Sequence, residues 1–132
     1  MRPVPIGTKG TFSLQVQPFH LANQFKDSIL PPVFATPMML LFMENAALNA
    51  LKPYIEPGES VVGTGVALKH LAATPVGHRV TAEAEVTKVE GRRIEFEVVA
   101  RDDDEIIGTG THERMVVDLE RLGKRLAAKS KA

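Results

Sequence analysis

Residues 36–51, TPMMLLFMENAALNAL, decide the fold of this chain. Thr36 is a favourable residue for the position just before a helix, and Pro37 suits the first helical position because an N–H group there would have no partner. The helix should end near Leu51, since Pro53 cannot continue it. Its first two turns are apolar on every side, which is typical of a helix enclosed by protein. We therefore expect a central helix around which the rest of the chain wraps.

Five segments outside this helix are predicted to be β-strands, because apolar and polar side chains alternate along them. They are residues 10–17, 61–71, 78–89, 92–101 and 106–119. The alternation is clearest over residues 80–87 and gives that strand one buried and one solvated face. Short turns at Glu90-Gly91 and at residues 102–104 join the last three strands as hairpins. The sheet should therefore be antiparallel.

Residues 18–32 do not continue either pattern, because the prolines of this segment disfavour helix in the residues before them. We expect a long covering loop with room for one helical turn. Strand glycines at 63, 65, 108 and 110 indicate either bulges or places where another backbone comes close. One strand, an apolar helix and four long antiparallel strands, in that order, predict the hotdog fold, an α+β domain in which a curved sheet wraps around a helix.

Composition sets limits on function. The chain has 132 residues, which suits one domain, no cysteine, and equal numbers of acidic and basic residues. Without a net positive charge, nucleic acid is a poor candidate partner. The longest apolar run, residues 37–43, is too short to span a membrane, and the first ten residues lack a signal-peptide core, so we expect a cytoplasmic protein without a membrane partner. We assign residues 1–122 to the domain. Residues 123–132 form a basic tail. It is either solvated and partly frayed, or it attracts a polyphosphate ligand by its positive charge.

Glu44 is the first candidate for chemistry. Its helical neighbours three and four residues away are apolar, so its carboxylate lies on or beside an apolar stripe. A buried carboxylate must find a hydrogen-bond donor, take up a proton or be positioned for use. An alternative is that Glu44 lies at the edge of a polar strip formed by Asn45, Asn49 and Lys52. The residues alone leave both readings open.

Thr36 and four histidines are the other candidates. A hydroxyl at a helix start can cap the helix, and it also lies where a developing negative oxygen would be stabilised. The histidines are His20, His70, His78 and His112. Each can act as an acid or base near neutral pH, and spacing favours none of them. We expect His20 and His78 at the surface. No histidine pair has metal-ligand spacing with a third partner, so no metal is predicted.

Familiar enzyme motifs do not occur in the sequence. The two Gly-Thr-Gly segments that begin at Gly63 and Gly108 each lack the third glycine of a dinucleotide-binding motif. There is also no phosphate-binding loop and no serine-hydrolase elbow. Hydride transfer, phosphoryl transfer and serine-hydrolase chemistry are therefore disfavoured.

Six segments together resemble the fluoroacetyl-CoA thioesterase family of hotdog proteins. They are Val33-Phe34-Ala35-Thr36, Met43-Glu44, residues 51–59, residues 70–75, residues 89–93 and residues 110–114. They follow the family's order, and the resemblance extends over roughly residues 7–122. It implies an acyl-CoA thioesterase in which Thr36, Glu44 and His70 are catalytic. It also implies a homodimer with the site at the junction of the two sheets, and no cofactor, because CoA is part of the substrate.

The resemblance also implies substrate contacts. It places Gly63 at the substrate carbonyl and Arg114 beside the acyl group, and it adds Phe34 and Leu30 to the substrate-binding residues. Leu30 is a departure from the fluoroacetyl-selective pattern, which has an aromatic residue at that position of the lid. We therefore expect a general short-chain acyl-CoA thioesterase.

Two alternatives come from other classes. A non-catalytic acyl-CoA-binding hotdog protein would use the same pocket without turnover. A hotdog hydratase would need an Asp and a His near the start of the central helix, and residues 36–51 contain neither. The hydratase is therefore disfavoured, and the binding protein remains the alternative.

Overall fold

The structure is a computed structural model that describes residues 1–130. Its strands are β1 (Lys9–Gln15), β2 (Glu59–His70), β3 (Arg79–Glu90), β4 (Arg93–Arg101) and β5 (Ile106–Asp118). Its helices are α1 (Ala22–Phe25), α2 (Thr36–Leu51) and α3 (Leu119–Ser130), with 3₁₀ turns at Pro18–His20 and Lys52–Tyr54. The strands form one antiparallel sheet in the order β1-β3-β4-β5-β2, which leaves β1 and β2 at its edges.

Helix α2 packs against the concave face of this sheet, which confirms the hotdog arrangement. The side chains of α2 that are buried in the core are Met39, Phe42, Met43, Ala46, Ala47, Ala50 and Leu51. They contact the inward-facing residues of β3 and β4, including Val86 and Phe96. The helix is not enclosed on every side as expected, because Leu41 is 45% exposed.

Close packing of α2 on the sheet depends on small residues. A Cβ atom at Gly10 in β1 would overlap the helix backbone at Ala46 and Ala50, and one at Gly108 in β5 would overlap the side chain of Met39. At Gly108 a side chain of the helix comes close and not its backbone, whereas the predicted bulge is found between Gly63 and Gly65. The close approach of the α2 backbone to β1 at Gly10 was not predicted from the sequence.

The covering segment before α2 contains the 3₁₀ turn and the short α1. It is held to the start of α2 by hydrogen bonds from the N–H of Ala22 to the carbonyl of Val33 and from the N–H of Ala35 to the carbonyl of His20. The prediction that His20 is a surface residue was wrong. Its side chain is only 3% exposed, because it packs against the edges of the Phe34 and Phe42 rings.

The C-terminal region differs from the expected frayed tail. Residues 119–130 form α3, and Asp118 accepts a hydrogen bond from the backbone N–H of Arg121 near its start. No side chain of α3 is buried. Residues 131 and 132, the end of the predicted tail, lie outside the described residues. Within residues 1–130, none of the helices is long and apolar enough to cross a membrane.

Candidate active site

Thr36 and His70 form the first cluster of candidate residues. Thr36 begins α2 and His70 ends β2, and Thr36 Oγ1 lies 2.7 Å from His70 Nδ1. Thr36 was predicted to cap the helix, but Ala35 occupies the capping position, and Pro37 is therefore the second helical residue. The Thr36 hydroxyl therefore does not occupy the capping position and contacts the imidazole of His70.

The environment of His70 favours its neutral form. Burial lowers the pKa of His70, and a backbone contact with Ala72 opposes this shift. Its Nε2 atom is buried and makes no hydrogen bond within residues 1–130. A neutral imidazole with one nitrogen bound to a hydroxyl and the other free can accept or donate a proton.

Glu44 belongs to a second cluster, with Arg114 and Gly63. Glu44 Oε2 lies 3.8 Å from Arg114 Nη1, and the Glu44 side chain is 38% exposed. The Arg114 guanidinium is buried and also donates from Nη2 to the carbonyl of Val61 across 3.0 Å. Gly63 brings its backbone close to the carboxylate, since a Cβ atom there would lie 3.1 Å from Glu44 Oε2. Glu44 therefore has a charged partner and is neither deeply buried nor free in solvent.

His112 completes this second cluster, although spacing in the sequence did not favour it over the other histidines. Its Nδ1 atom lies 2.9 Å from the carbonyl oxygen of Gly65, so Nδ1 must carry the proton. Its ring stacks on Phe96 with a centroid distance of 5.9 Å. Burial lowers the pKa of His112, and the charge of Arg114 adds to this. One signal was available, because residues 112 and 114 of a strand point to the same face.

The two clusters are separate within one chain. Thr36 and Glu44 are eight residues apart in a helix, which corresponds to roughly 12 Å along its axis. Thr36 and His70 border one cleft together with Leu71, whereas Glu44 borders another with Gly63 and His112. The resemblance implied that Glu44 acts together with Thr36 and His70, but Glu44 does not contact either of them within a single chain.

The remaining predicted residues lie apart from both clefts or at their margins. Phe34 is buried in the core, with its ring centroid 5.1 Å from that of Phe42. Leu30 is partly exposed on the covering segment. His78 is half-buried beside the Asp102 carboxylate, and the prediction of a surface position was therefore only partly right. Among residues 1–130, no three His, Asp or Glu side chains are arranged to hold a metal ion.

The architecture defines a class of protein. An antiparallel five-stranded sheet wrapped around the long helix α2 is that of a hotdog-fold protein. The model of the fluoroacetyl-CoA-specific thioesterase family, FlK, matches residues 16–120. The chain belongs to this family.

Individual relatives agree with this assignment. The chain is 47% identical over 102 residues to the fluoroacetyl-CoA thioesterase of Streptantibioticus cattleyicolor, covering 77% of this chain and 73% of the relative. A variant of the FlK thioesterase solved in complex with acetyl-CoA is 38% identical, with a TM-score of 0.90 over 96% of this chain and 98% of that one. A thioesterase superfamily member from Thermus thermophilus is 32% identical, with a TM-score of 0.89 over 98% of this chain and 97% of that one.

Proposed function

We propose that this protein hydrolyses small acyl-CoA thioesters to a carboxylate and free CoA, and that Glu44, Thr36 and His70 carry the reaction. The observation that supports it best is the Glu44 carboxylate held 3.8 Å from the Arg114 guanidinium beside the bare backbone of Gly63. A thioester carbonyl can approach a glycine backbone closely, and an arginine can hold the acyl group. Family membership gives the reaction class, and this geometry supports Gly63 as the residue that the thioester carbonyl approaches.

The proposed reaction adds water across the thioester bond. A C–O bond forms at the carbonyl carbon, the C–S bond breaks, and CoA leaves as a thiolate that takes up a proton. Glu44 either attacks the carbonyl itself or removes the proton from the attacking water. Direct attack forms a mixed anhydride, which water must cleave in a second step. After a single turnover in ¹⁸O-labelled water, a product without label would show that Glu44 supplied the oxygen by direct attack and that water then cleaved the anhydride at the Glu44 carbonyl.

Leu30 bears on the choice of acyl group. The resemblance places an aromatic side chain at this lid position in the fluoroacetyl-selective enzyme, whereas this chain has a leucine that is partly exposed. A smaller and more flexible side chain makes a less selective lid. We therefore propose general short-chain acyl-CoA substrates. A panel from acetyl-CoA to butyryl-CoA, with fluoroacetyl-CoA included, measures the selectivity.

The site is proposed to be completed by a second copy of the chain. Strand β2 is an edge strand whose residues 63–67 are exposed, with Val66 at 47%. An unpaired edge of this kind can pair with another strand. The midpoint between Gly63 and His70 falls between Val66 and Ala67, so antiparallel pairing of two β2 strands about that point would bring His70 opposite Gly63 of the partner subunit. The Thr36–His70 pair would then face the Glu44 cluster across the junction.

The decisive test measures release of CoA. The chain has no cysteine, so a thiol-reactive dye reports free CoA without a signal from the protein. Glu44→Gln keeps the shape of the side chain and removes the carboxylate, and kcat should fall by about 100-fold or more. Glu97→Gln, on the exposed outer face of the sheet, is the matched control and should keep full turnover.

The alternative of a binding protein gives a different result. In that case the wild-type protein would bind acyl-CoA tightly in calorimetry and release no CoA. Full turnover by the Glu44→Gln variant would refute the assignment of this residue.

We also propose a cytoplasmic location, which fractionation of cells that express the protein would test.

A further inference from the structure

Thr74 and Asp102 form a buried hydrogen bond away from both clefts. The Thr74 side chain is fully buried, and its Oγ1 donates to Asp102 Oδ2 across 2.8 Å. The Asp102 side chain is only 2% exposed. Removing a partner from a buried carboxylate leaves an unsatisfied group, which is costly. This bond therefore links the β4–β5 turn firmly to the segment that follows β2.

Asp102 is itself anchored in its turn. Its Oδ1 accepts hydrogen bonds from the backbone N–H groups of Asp104, at 2.8 Å, and Glu105, at 2.9 Å. Burial raises the pKa of Asp102, but the hydrogen bonds from the Asp104 N–H and the Thr74 hydroxyl outweigh it and hold the pKa below its ordinary value. The carboxylate is therefore ionised at neutral pH and serves as a rigid acceptor.

The segment that Thr74 anchors leads to both members of the Thr36–His70 pair. His70 is the first residue of the short segment 70–74. At the other end, the carbonyl of Thr74 accepts a hydrogen bond from the N–H of Phe34 across 2.8 Å. Phe34 lies two residues before Thr36. Thr74 thus connects the backbone that carries His70 to the backbone that carries Thr36.

We infer that Thr74 and Asp102 are positioning residues, which hold segment 70–74 against residues 33–36 so that His70 Nδ1 stays within hydrogen-bond distance of the Thr36 hydroxyl. This inference rests on the proposed function of that pair. Neither residue contacts the reacting atoms in this arrangement. Their effect is exerted through the backbone, on the distance between the hydroxyl and the imidazole.

The test compares two substitutions at Thr74. Thr74→Val keeps the shape but cannot donate to Asp102, and kcat should fall by about tenfold or more with KM nearly unchanged, since misplacing a catalytic group by ~1 Å can cost ~100-fold. Thr74→Ser retains the hydroxyl and should recover most of kcat. Asp102→Asn is made in parallel, because it weakens the same bond and stands in for Thr74→Val if that variant does not fold.

The matched control removes a comparable hydrogen bond elsewhere. Thr81 in β3 and Ser13 in β1 share a part-buried side-chain hydrogen bond of 2.9 Å that has no link to segment 70–74. Thr81→Val should also lower the free energy of unfolding, by less than Thr74→Val because neither partner is charged, while kcat stays within about twofold. Equal effects of the two valine variants on kcat would overturn the inference.

A second readout requires no substrate. In Thr74→Val, loss of the Thr36 contact should shift the imidazole nitrogen resonances of His70 and raise its pKa toward the ordinary value, because the ring becomes more hydrated. Thr81→Val should leave the His70 titration unchanged. An unchanged titration in Thr74→Val would also overturn the inference. If the wild-type protein hydrolysed no acyl-CoA, the proposed function would fail, and this titration would still decide whether Thr74 positions His70.

Discussion

Arg114 Nη1 lies 3.2 Å from His112 Nε2, and the guanidinium donates this hydrogen bond to the imidazole. Two basic side chains can share a hydrogen bond only when the imidazole is neutral, because a protonated ring has no acceptor. The Gly65 carbonyl fixes the required tautomer by accepting a hydrogen bond from the Nδ1–H group of His112. His112 therefore orients Arg114, which in turn lies next to the Glu44 carboxylate.

The imidazole nitrogen of His112 that accepts a hydrogen bond from Arg114 should be needed for both stability and catalysis. His112→Phe keeps a flat ring but leaves Arg114 Nη1 without its partner, which should cost about 1–3 kcal/mol in the free energy of unfolding and lower kcat/KM. His112→Gln can accept from Arg114 and donate to the Gly65 carbonyl, so it should lose less of both. Urea denaturation and kcat/KM measure the difference. Indistinguishable behaviour of the two variants would contradict this role.

Gly63 should be intolerant of a methyl group, unlike its neighbour Gly65. A Cβ atom at Gly63 would lie 3.1 Å from Glu44 Oε2, whereas the nearest atom to a Cβ at Gly65 is 3.8 Å away. Gly63→Ala should therefore displace the carboxylate and reduce kcat by about tenfold or more. Gly65→Ala, the matched control, should change kcat by less than about twofold. If Gly65→Ala lowered kcat as much as Gly63→Ala, crowding of the Glu44 carboxylate could not explain the loss of activity in Gly63→Ala.

A composite site predicts recovery of activity when two inactive variants are mixed. Glu44→Gln and His70→Ala damage different halves of each site, so a mixed dimer contains one doubly damaged site and one intact site. Refolding the two variants together in equal amounts should restore about a quarter of wild-type activity. A mixture with no activity would indicate that each chain supplies its own complete site.

The same proposal predicts the mass of the protein in solution. Light scattering should give about twice the chain mass of 14.4 kDa. Val66→Lys places a charge at the centre of the proposed β2 junction and should yield inactive monomers. Leu126→Lys, at an exposed position in α3, is the control and should leave the dimer intact. A wild-type mass of one chain would rule out the dimer.

Stability should fall on mild acidification. Burial lowers the pKa of His20, His70 and His112 in the folded protein below the ordinary value of 6.5. The unfolded chain consequently binds more protons than the folded chain below about pH 6.5, and the free energy of unfolding decreases as pH falls through that range. Carboxylates with a lowered pKa, such as Asp102, become protonated only near pH 4 and below, and their contribution to the free energy of unfolding is lost only there.

Urea denaturation at pH 7.5 and pH 5.5 measures this dependence. His112→Gln should reduce the difference between the two pH values, because one of the three buried histidines is then absent. A free energy of unfolding that is the same at both pH values in the wild-type protein would contradict the prediction.

Much of the fold could be predicted from local signals. Helix α2 ends at Leu51 as expected and begins at Thr36, one residue before the predicted start, because prolines near both ends and an apolar sequence between them act within a few residues. The five strands were each placed to within two residues at either end, since alternation and turn residues are also local. The burial of His20 was missed, because it depends on two aromatic rings that lie farther along the chain.

The sequence by itself determined the elements, their order and the family, because periodicity, turn residues and short motifs are properties of neighbouring residues. Only the tertiary structure decided which candidates meet. His112 contacts the Gly65 carbonyl because β5 pairs with β2 in a register that shifts between Gly63 and Gly65. Thr36 contacts His70 at the end of β2, whereas Glu44, two turns farther along α2, lies near Gly63 of the same strand. The helix keeps these two positions apart, because eight helical residues span roughly 12 Å.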